Sequence, residues 1–384
     1  MSGHPAALIS GIRPADRADP VAVRAHLDDL TKPPGSLGRL EALAVRLARI
    51  YGDPPPPLRR RAVLLFAADH GVAARGVSAY PPEVTAQMCR NFAAGGAAIN
   101  AIARAVGADV VIVDVGVDAD AAALPGVVSR KVRRGTRDLS IEPAMTRTET
   151  LEAMRAGFEL AAGRAESTDI FALGDMGIGN TTAAAAVTAA LTGAQPESVV
   201  GAGTGLDAAG IERKRRVVNE AVARIDPAAD PVDVLAHVGG LEIAALAGAT
   251  LGAASVGRAV VCDGFITTAA ALAAVRFCHD VADYLIASHR SVEPGHTVQL
   301  AALGLDPLLD LELRLGEGTG AALALPLIEA AAGVLREMAT FHGAGVSRET
   351  GPTLAPAGAV NPTEHRSAGT AAPSDDAPRT GDAR

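Results

Sequence analysis

The sequence predicts an α/β fold, a parallel-sheet Rossmann-like domain, from three features. Short continuous apolar runs have strand length, long alanine-rich helical stretches separate them, and polar or glycine residues follow each run directly. Strands without a polar face are those buried on both sides, as in a parallel sheet covered by helices. The residues just after such strands line the edge where open parallel sheets bind ligands, so the active site is expected there.

The elements follow in order. Residues 1–28 read as a short polar helix with a proline-marked entrance, broken by Thr31-Lys32-Pro33-Pro34-Gly35-Ser36, and helix resumes at Leu37. Pro54 to Pro57 reads as a stiff linker. Ala62 to Ala67 is the first strand and runs into Asp69-His70-Gly71; Val110 to Val113 runs into Asp114-Val115-Gly116. Asp169 to Leu173 leads to Gly174-Asp175-Met176-Gly177, Ala259 to Val261 to Cys262-Asp263-Gly264, and Tyr284 to Ala287 to Ser288-His289. From Leu303 the pattern reads as helical, with a glycine-rich break at Gly316 to Gly320 and a long apolar helix through Met338. The expected organisation is a large α/β domain over 29–302 and a small helical domain formed from both chain ends, 1–28 and 303–347. The remainder, 348–384, lacks periodicity and reads as a disordered tail.

Composition narrows the function. With 384 residues, 49% hydrophobic but only 3% aromatic and without tryptophan, the core must pack through small and branched side chains, which brings helices close together. The net charge of -8 argues against a nucleic-acid face, which needs clustered cations. Cys89, Cys262 and Cys278 have no paired spacing and read as buried free thiols. The nine histidines show no metal-ligand spacing, so a metal site has no support, and no GxSxG is present. No apolar run reaches the ~20 residues that cross a bilayer, so a soluble, cytoplasmic protein is expected.

Two glycine stretches carry the chemistry. Gly174-Asp175-Met176-Gly177-Ile178-Gly179-Asn180-Thr181-Thr182 sits between a strand and a helix, where glycines let the backbone approach a ligand and the first helical N–H groups favour an anion. No lysine follows the glycines as in a P-loop, and Thr182 stands where a dinucleotide fingerprint has its third glycine. Gly201-Ala202-Gly203-Thr204-Gly205-Leu206-Asp207 also precedes a helix, with Lys214 two turns in. The pair suits a mononucleotide phosphate. Each stretch alone could be an ordinary capped turn, Asp207 reads as a helix cap, and Lys214 could be surface charge among arginines.

Glu317, within Arg314-Leu315-Gly316-Glu317-Gly318-Thr319-Gly320, is a carboxylate flanked by glycines and backed by apolar helix. Burial there raises its pKa toward the range of a general base, although a solvated loop glutamate would have the same local sequence. Asp69-His70 and Asp263 could serve ribose or helix-dipole roles at strand ends, or cap the helices that follow.

Taken together, these stretches resemble the nicotinate-nucleotide:dimethylbenzimidazole phosphoribosyltransferases. The resemblance runs from about residue 25 to 345 and includes Lys32 to Glu41, Ala68 to Val72, Tyr80 to Gln87, Ala94 to Asn100, Asp114 to Val117, Asp263 to Phe265, Ser288 to Ser291 and Leu315 to Gly320. It implies transfer of ribose 5-phosphate from nicotinate mononucleotide to 5,6-dimethylbenzimidazole, giving α-ribazole 5′-phosphate for the lower ligand of cobalamin, with no metal or organic cofactor. It also implies a homodimer whose neighbouring subunit helps close the cleft. By the same resemblance Glu317 is the general base, and Ser78, Tyr80, Gln87, Met176 and Leu315 lie in stretches lining the base pocket. Gly177, Gly179, Asn180, Thr181, Gly203 and Lys214 match the nucleotide and phosphate region, with Ser291 nearby. Asp175 stands where relatives carry glutamate, one methylene shorter. Two other readings stay open at this point: a transferase preferring adenine or a phenol as acceptor, and a non-catalytic nucleotide sensor.

Overall fold

Among the described residues six segments, five of them apolar, pair in parallel. They are β1 Arg61–Ala68, β2 Ala108–Gly116, β3 Val128–Ser129, β4 Ile170–Met176, β5 Ala259–Cys262 and β6 Leu285–Ala287, in the order β3-β2-β1-β4-β5-β6. The computed structural model describes residues 5–120 and 124–348. Residues 1–4 and all of the expected tail except Arg348 lie outside the described residues. Five of the six strands fall on the apolar runs of the sequence. The sixth, β3, is two residues long and had no run to mark it.

This strand order is that of a Rossmann sheet, and it reverses direction between β1 and β4. The strands that flank the reversal are buried along nearly their whole length. Phe66 and Phe171, one on each, are fully buried, and each contributes about 1.5–3 kcal/mol relative to exposure.

Helices cover both faces. The first seven are α1 Pro20–Asp29, α2 Arg39–Tyr51, α3 Val84–Ala93, α4 Ala98–Val106, α5 Arg147–Ala162, α6 Asn180–Thr192 and α7 Pro196–Val199. They are followed by α8 Ala208–Val222, α9 Pro231–Val238, α10 Leu241–Ser255, α11 Phe265–Phe277, α12 Pro294–Leu303, α13 Thr319–Glu337 and α14 Phe341–Ala344. One face carries α10, which lies across β1, β2, β4 and β5 and packs on α5 and α11. The other carries α13 against β4 and β5, flanked by α2 and α4.

The low aromatic content has its consequence in the α5–α10 seam. A Cβ placed on Gly157 would lie 1.8 Å from the Ala245 carbonyl oxygen, and one on Gly248 would lie 1.8 Å from that of Met154. Backbone meets backbone there, and no side chain larger than hydrogen fits.

Both chain ends come together. Leu30 forms an antiparallel bridge with Thr340, and α1 packs on α2, which packs on α13. One large apolar cluster nevertheless runs from Leu8 through the sheet to Leu335, beside a small one of Ala67, Cys89, Val117 and Leu124.

Three local expectations need correction. Residues 1–28 are not one helix: a 3-10 turn at Pro5–Leu8 precedes α1, which starts at Pro20 behind the Asp19 cap, whose side chain accepts the Val21 N–H at 3.0 Å. Residues 304–318 are not helical either. They run alongside the chain that leaves β6, with Arg290 N–H donating to Leu309 O at 2.8 Å and Leu309 N–H to Ser288 O at 2.9 Å. The alternation Leu309, Leu311, Leu313, Leu315 with polar residues between them is the signal of an extended segment. Finally, α13, at 19 residues, is long and apolar enough to cross a membrane by length and composition. Here it is a core helix, with Leu325, Ile328, Ala331 and Leu335 buried.

Candidate active site

The strand order places a crevice beyond the carboxyl ends of β1 and β4, and a cavity of about 440 Å³ opens there. β4 ends in Asp175 and Met176; the chain then turns through Gly177 to Gly179 into α6, which starts at Asn180. Gly179 has φ +97°, a left-handed conformation that favours glycine. A Cβ on Gly177 would come within 2.5 Å of the Ala68 carbonyl, so the turn hugs the end of β1. Thr85 on α3 accepts the Ile178 N–H at 3.1 Å and steadies the turn from the far side.

Glu317 stands at the centre of a second turn. Gly316, Glu317 and Gly318 have φ of +82°, +63° and +84°, a left-handed run with a glutamate in the middle. A non-glycine residue held in this conformation costs about 1–3 kcal/mol, so the surrounding structure must impose it. Asp263 does so in part: its carboxylate accepts the Gly318 N–H at 3.1 Å and the Ala321 N–H at 2.9 Å, capping the start of α13. Gly174 leaves room for the turn against β4, because a Cβ there would meet the Glu317 carbonyl at 2.6 Å. Asp263 thus caps a helix distant in sequence, not the α11 that follows it.

The Glu317 side chain is only 6% exposed, lines the cavity, and its Oε2 has no hydrogen-bond partner among the described residues. Burial raises its pKa, opposed by a hydrogen bond from the backbone of Ile99. Asp175, beside it, is pushed well above the ordinary carboxylate range by burial and by the charges of Asp263 and Glu242, while its Oδ2 accepts from Asn180 Nδ2 at 2.9 Å. Asp263 is raised by burial to about 7. Beneath the first turn, His70 Nε2 lies 2.7 Å from Glu242 Oε1, with both side chains fully buried. Burial pulls the imidazole down, and the adjacent Glu242 carboxylate more than offsets it, leaving its pKa raised.

The cavity gathers Glu317, Tyr80, Met176, Leu315, Asp175, Gly177, Asn180, Thr181, Gly203 and Ser291, all expected from the sequence. Ser78, Gln87, Gly179 and Lys214 do not line it. Ser78 Oγ sits 3.3 Å from Thr204 Oγ1 and braces a wall residue, and Gln87 is exposed on α3. Gly179 packs on His70 and Ala73.

Lys214 is not surface charge. It is fully buried behind the wall, with Nζ donating to Thr181 Oγ1 at 2.8 Å, and burial lowers its pKa to about 8 against the opposing charge of Glu293. Asp207 is the helix cap its position suggested, accepting the Gly210 N–H at 2.8 Å.

Several wall residues were not singled out from the sequence. Val84, Met88, Ile178, Phe265 and Ile266 supply apolar surface, and His289, Glu293 and Arg314 supply polar groups. His289 is lowered to about 4 by burial, so it is neutral near pH 7. Its place just after β6 was a signal, as was that of Arg314 at the head of the glycine-rich stretch around Glu317; Glu293 had no such motif around it. Among the described residues no group of three His, Cys, Asp or Glu side chains could hold a metal ion.

A crevice at the reversal of a Rossmann sheet, with two glycine turns, a buried lysine and a buried unpaired carboxylate, defines an α/β enzyme built for a small phosphorylated substrate. The phosphoribosyltransferase family model matches residues 12–346. The nicotinate-nucleotide–dimethylbenzimidazole phosphoribosyltransferase of Thermus thermophilus is 55% identical over 326 residues, 85% of this chain and 97% of that protein. The enzyme of that name from Geobacter metallireducens is 52% identical over 343 residues, covering 88% and 97%. A crystal structure of the Thermus thermophilus protein superposes with a TM-score of 0.84 at 53% identity, covering 86% of this chain and 99% of that one. The chain belongs to this phosphoribosyltransferase family.

Proposed function

We infer that the protein transfers ribose 5-phosphate from nicotinate mononucleotide to 5,6-dimethylbenzimidazole, releasing nicotinate and α-ribazole 5′-phosphate for cobalamin assembly. The observation that carries this reading is Glu317, a buried carboxylate with a raised pKa and an unpaired oxygen on the cleft wall, held by a left-handed turn. The pyridine nitrogen of the nucleotide is already cationic, so the glycosidic bond breaks to a neutral ring and needs no acid. One ring nitrogen of the acceptor forms the new bond to C1′ as the bond to nicotinate breaks, and Glu317 takes the proton from the other nitrogen. Attack opposite the leaving group turns a β linkage into an α linkage. Held geometry and exclusion of water supply the rest of the acceleration.

In this reading Tyr80, Met176 and Leu315 contact the base, with Ser78 and Gln87 supporting that end. Asp175, Gly177, Gly179, Asn180, Thr181, Gly203, Ser291 and, through Thr181, Lys214 hold the nucleotide. The protein acts as a soluble cytoplasmic homodimer, with chain-end helices forming a small unit beside the α/β domain. The cleft rim supports the dimer: Tyr80 and Leu315 are 55% and 57% exposed, apolar surface that a second subunit would cover.

The test is a product assay on the purified protein, offering nicotinate mononucleotide with dimethylbenzimidazole, adenine or a phenol. Nicotinate release that depends on the benzimidazole, with an α-linked product, is the expected result. Binding of the nucleotide without release would make the protein a sensor, and preference for another base would reassign the acceptor.

A further inference from the structure

Glu293 is a third buried carboxylate on the cleft wall, beside Glu317 and Asp175; it is 6% exposed, and the transfer step leaves it without a task. Its Oε1 accepts the Gly203 N–H at 2.9 Å, and its Oε2 is buried without a hydrogen-bond partner among the described residues. The segment that carries it is held firmly: Ser291 N–H donates to His296 Nδ1 at 3.0 Å, and Glu293 N–H donates to Ser291 Oγ at 3.3 Å. The facing loop makes room for it, since a Cβ on Gly201 would fall 2.3 Å from Oε2. A buried acceptor left unpaired is unfavourable, and charged ones more so, which points to the ligand for its partner.

The chemistry of the nucleotide narrows that partner. Its phosphate and its nicotinate carboxylate only accept hydrogen bonds near neutral pH, and both repel a carboxylate. Its ribose hydroxyls are its only donors. The other donor in the reaction is the benzimidazole N–H, which faces Glu317 in the reading above. We propose that Glu293 Oε2 accepts a hydrogen bond from a ribose hydroxyl of the bound nucleotide, making Glu293 the residue that determines sugar specificity. The proposal rests on the phosphoribosyl-transfer reading. With Gly203 N–H committed to Glu293, the 201–205 loop serves the sugar, and the phosphate falls to the turn from Gly177 to Thr181. Such a bond strengthens as positive charge develops at C1′, so its loss shows in kcat as well as in KM.

The experiment measures kcat and KM for nicotinate mononucleotide and its 2′-deoxy and 3′-deoxy counterparts, in the unmodified protein and in Glu293→Gln. Glutamine keeps an oxygen for the Gly203 N–H and removes the negative charge and the second acceptor oxygen. The unmodified protein should lose roughly 10- to 100-fold in kcat/KM on one deoxy nucleotide, the range of a hydrogen bond to a charged group. Glu293→Gln should lose a similar factor on the ribonucleotide, and less than about 3-fold more on that deoxy nucleotide. Equal losses by Glu293→Gln on all three nucleotides would mean that the residue only braces the loop, and would overturn the proposal. So would an unmodified protein indifferent to both deoxy sugars. Absence of nicotinate release from every nucleotide would instead defeat the transferase reading itself.

Discussion

The α5–α10 seam and the cleft at the strand ends both depend on glycine, for opposite reasons. In the seam, Gly157, Gly248 and Gly252 have ordinary helical backbone and are needed because a helix backbone lies where a Cβ would be. In the cleft, Gly316, Gly318 and Gly179 adopt left-handed φ, and they aim a carboxylate and a helix start at the cavity. The seam holds no buried charge, whereas the cleft collects Asp175, Asp263, Glu293 and Glu317. One region removes polar groups to pack closely; the other tolerates strain and raised pKa values to keep reactive groups ready. Helix α10 joins them, packing on α5 along its length and carrying Glu242 under the cleft at its start.

That junction gives the largest expected effect. His70→Ala or Glu242→Ala leaves one fully buried partner uncompensated and should destabilise the fold by about 3–5 kcal/mol in chemical denaturation. Replacing both by leucine should recover much of the loss. Unchanged denaturation midpoints in the single variants would show that the pair does not tie the two regions together.

Next is the seam itself. Gly248→Ala drives a methyl group into the Met154 carbonyl and should destabilise by about 1–3 kcal/mol, leaving kcat of the folded protein unchanged. A fall in kcat without loss of stability would mean that the seam and the cleft are not separable.

The smallest effect concerns pH. A raised Glu317 pKa means the base is protonated at low pH, so kcat/KM should rise with pH through a value above the usual ~4.3 and then level off. Below that value the slope should approach tenfold per pH unit. Activity constant down to pH 4 would contradict the buried environment assigned to this side chain.

The sheet was legible in the sequence because a strand buried on both faces needs a continuous apolar run, and five of the six strands have one. The turns at 174–182 and 316–320 were legible because each clusters glycines around one polar group. The 304–318 segment was misread: its leucines suggested a helix, while their alternation belonged to an extended chain beside β6. Asp263, Glu293 and Lys214 could not be assigned from their neighbours in sequence. Asp263 caps α13 from a distant loop, and Glu293 and Lys214 each bond the backbone of the 201–205 turn. Such partners become visible only when the chain has folded.

The most direct measurement is a single turnover with Glu317→Gln, in which binding of nicotinate mononucleotide and dimethylbenzimidazole is followed separately from nicotinate release. Both substrates should bind within a few-fold of normal while release slows by about 100-fold or more. Release at the unmodified rate, with both substrates bound, would contradict Glu317 as the base.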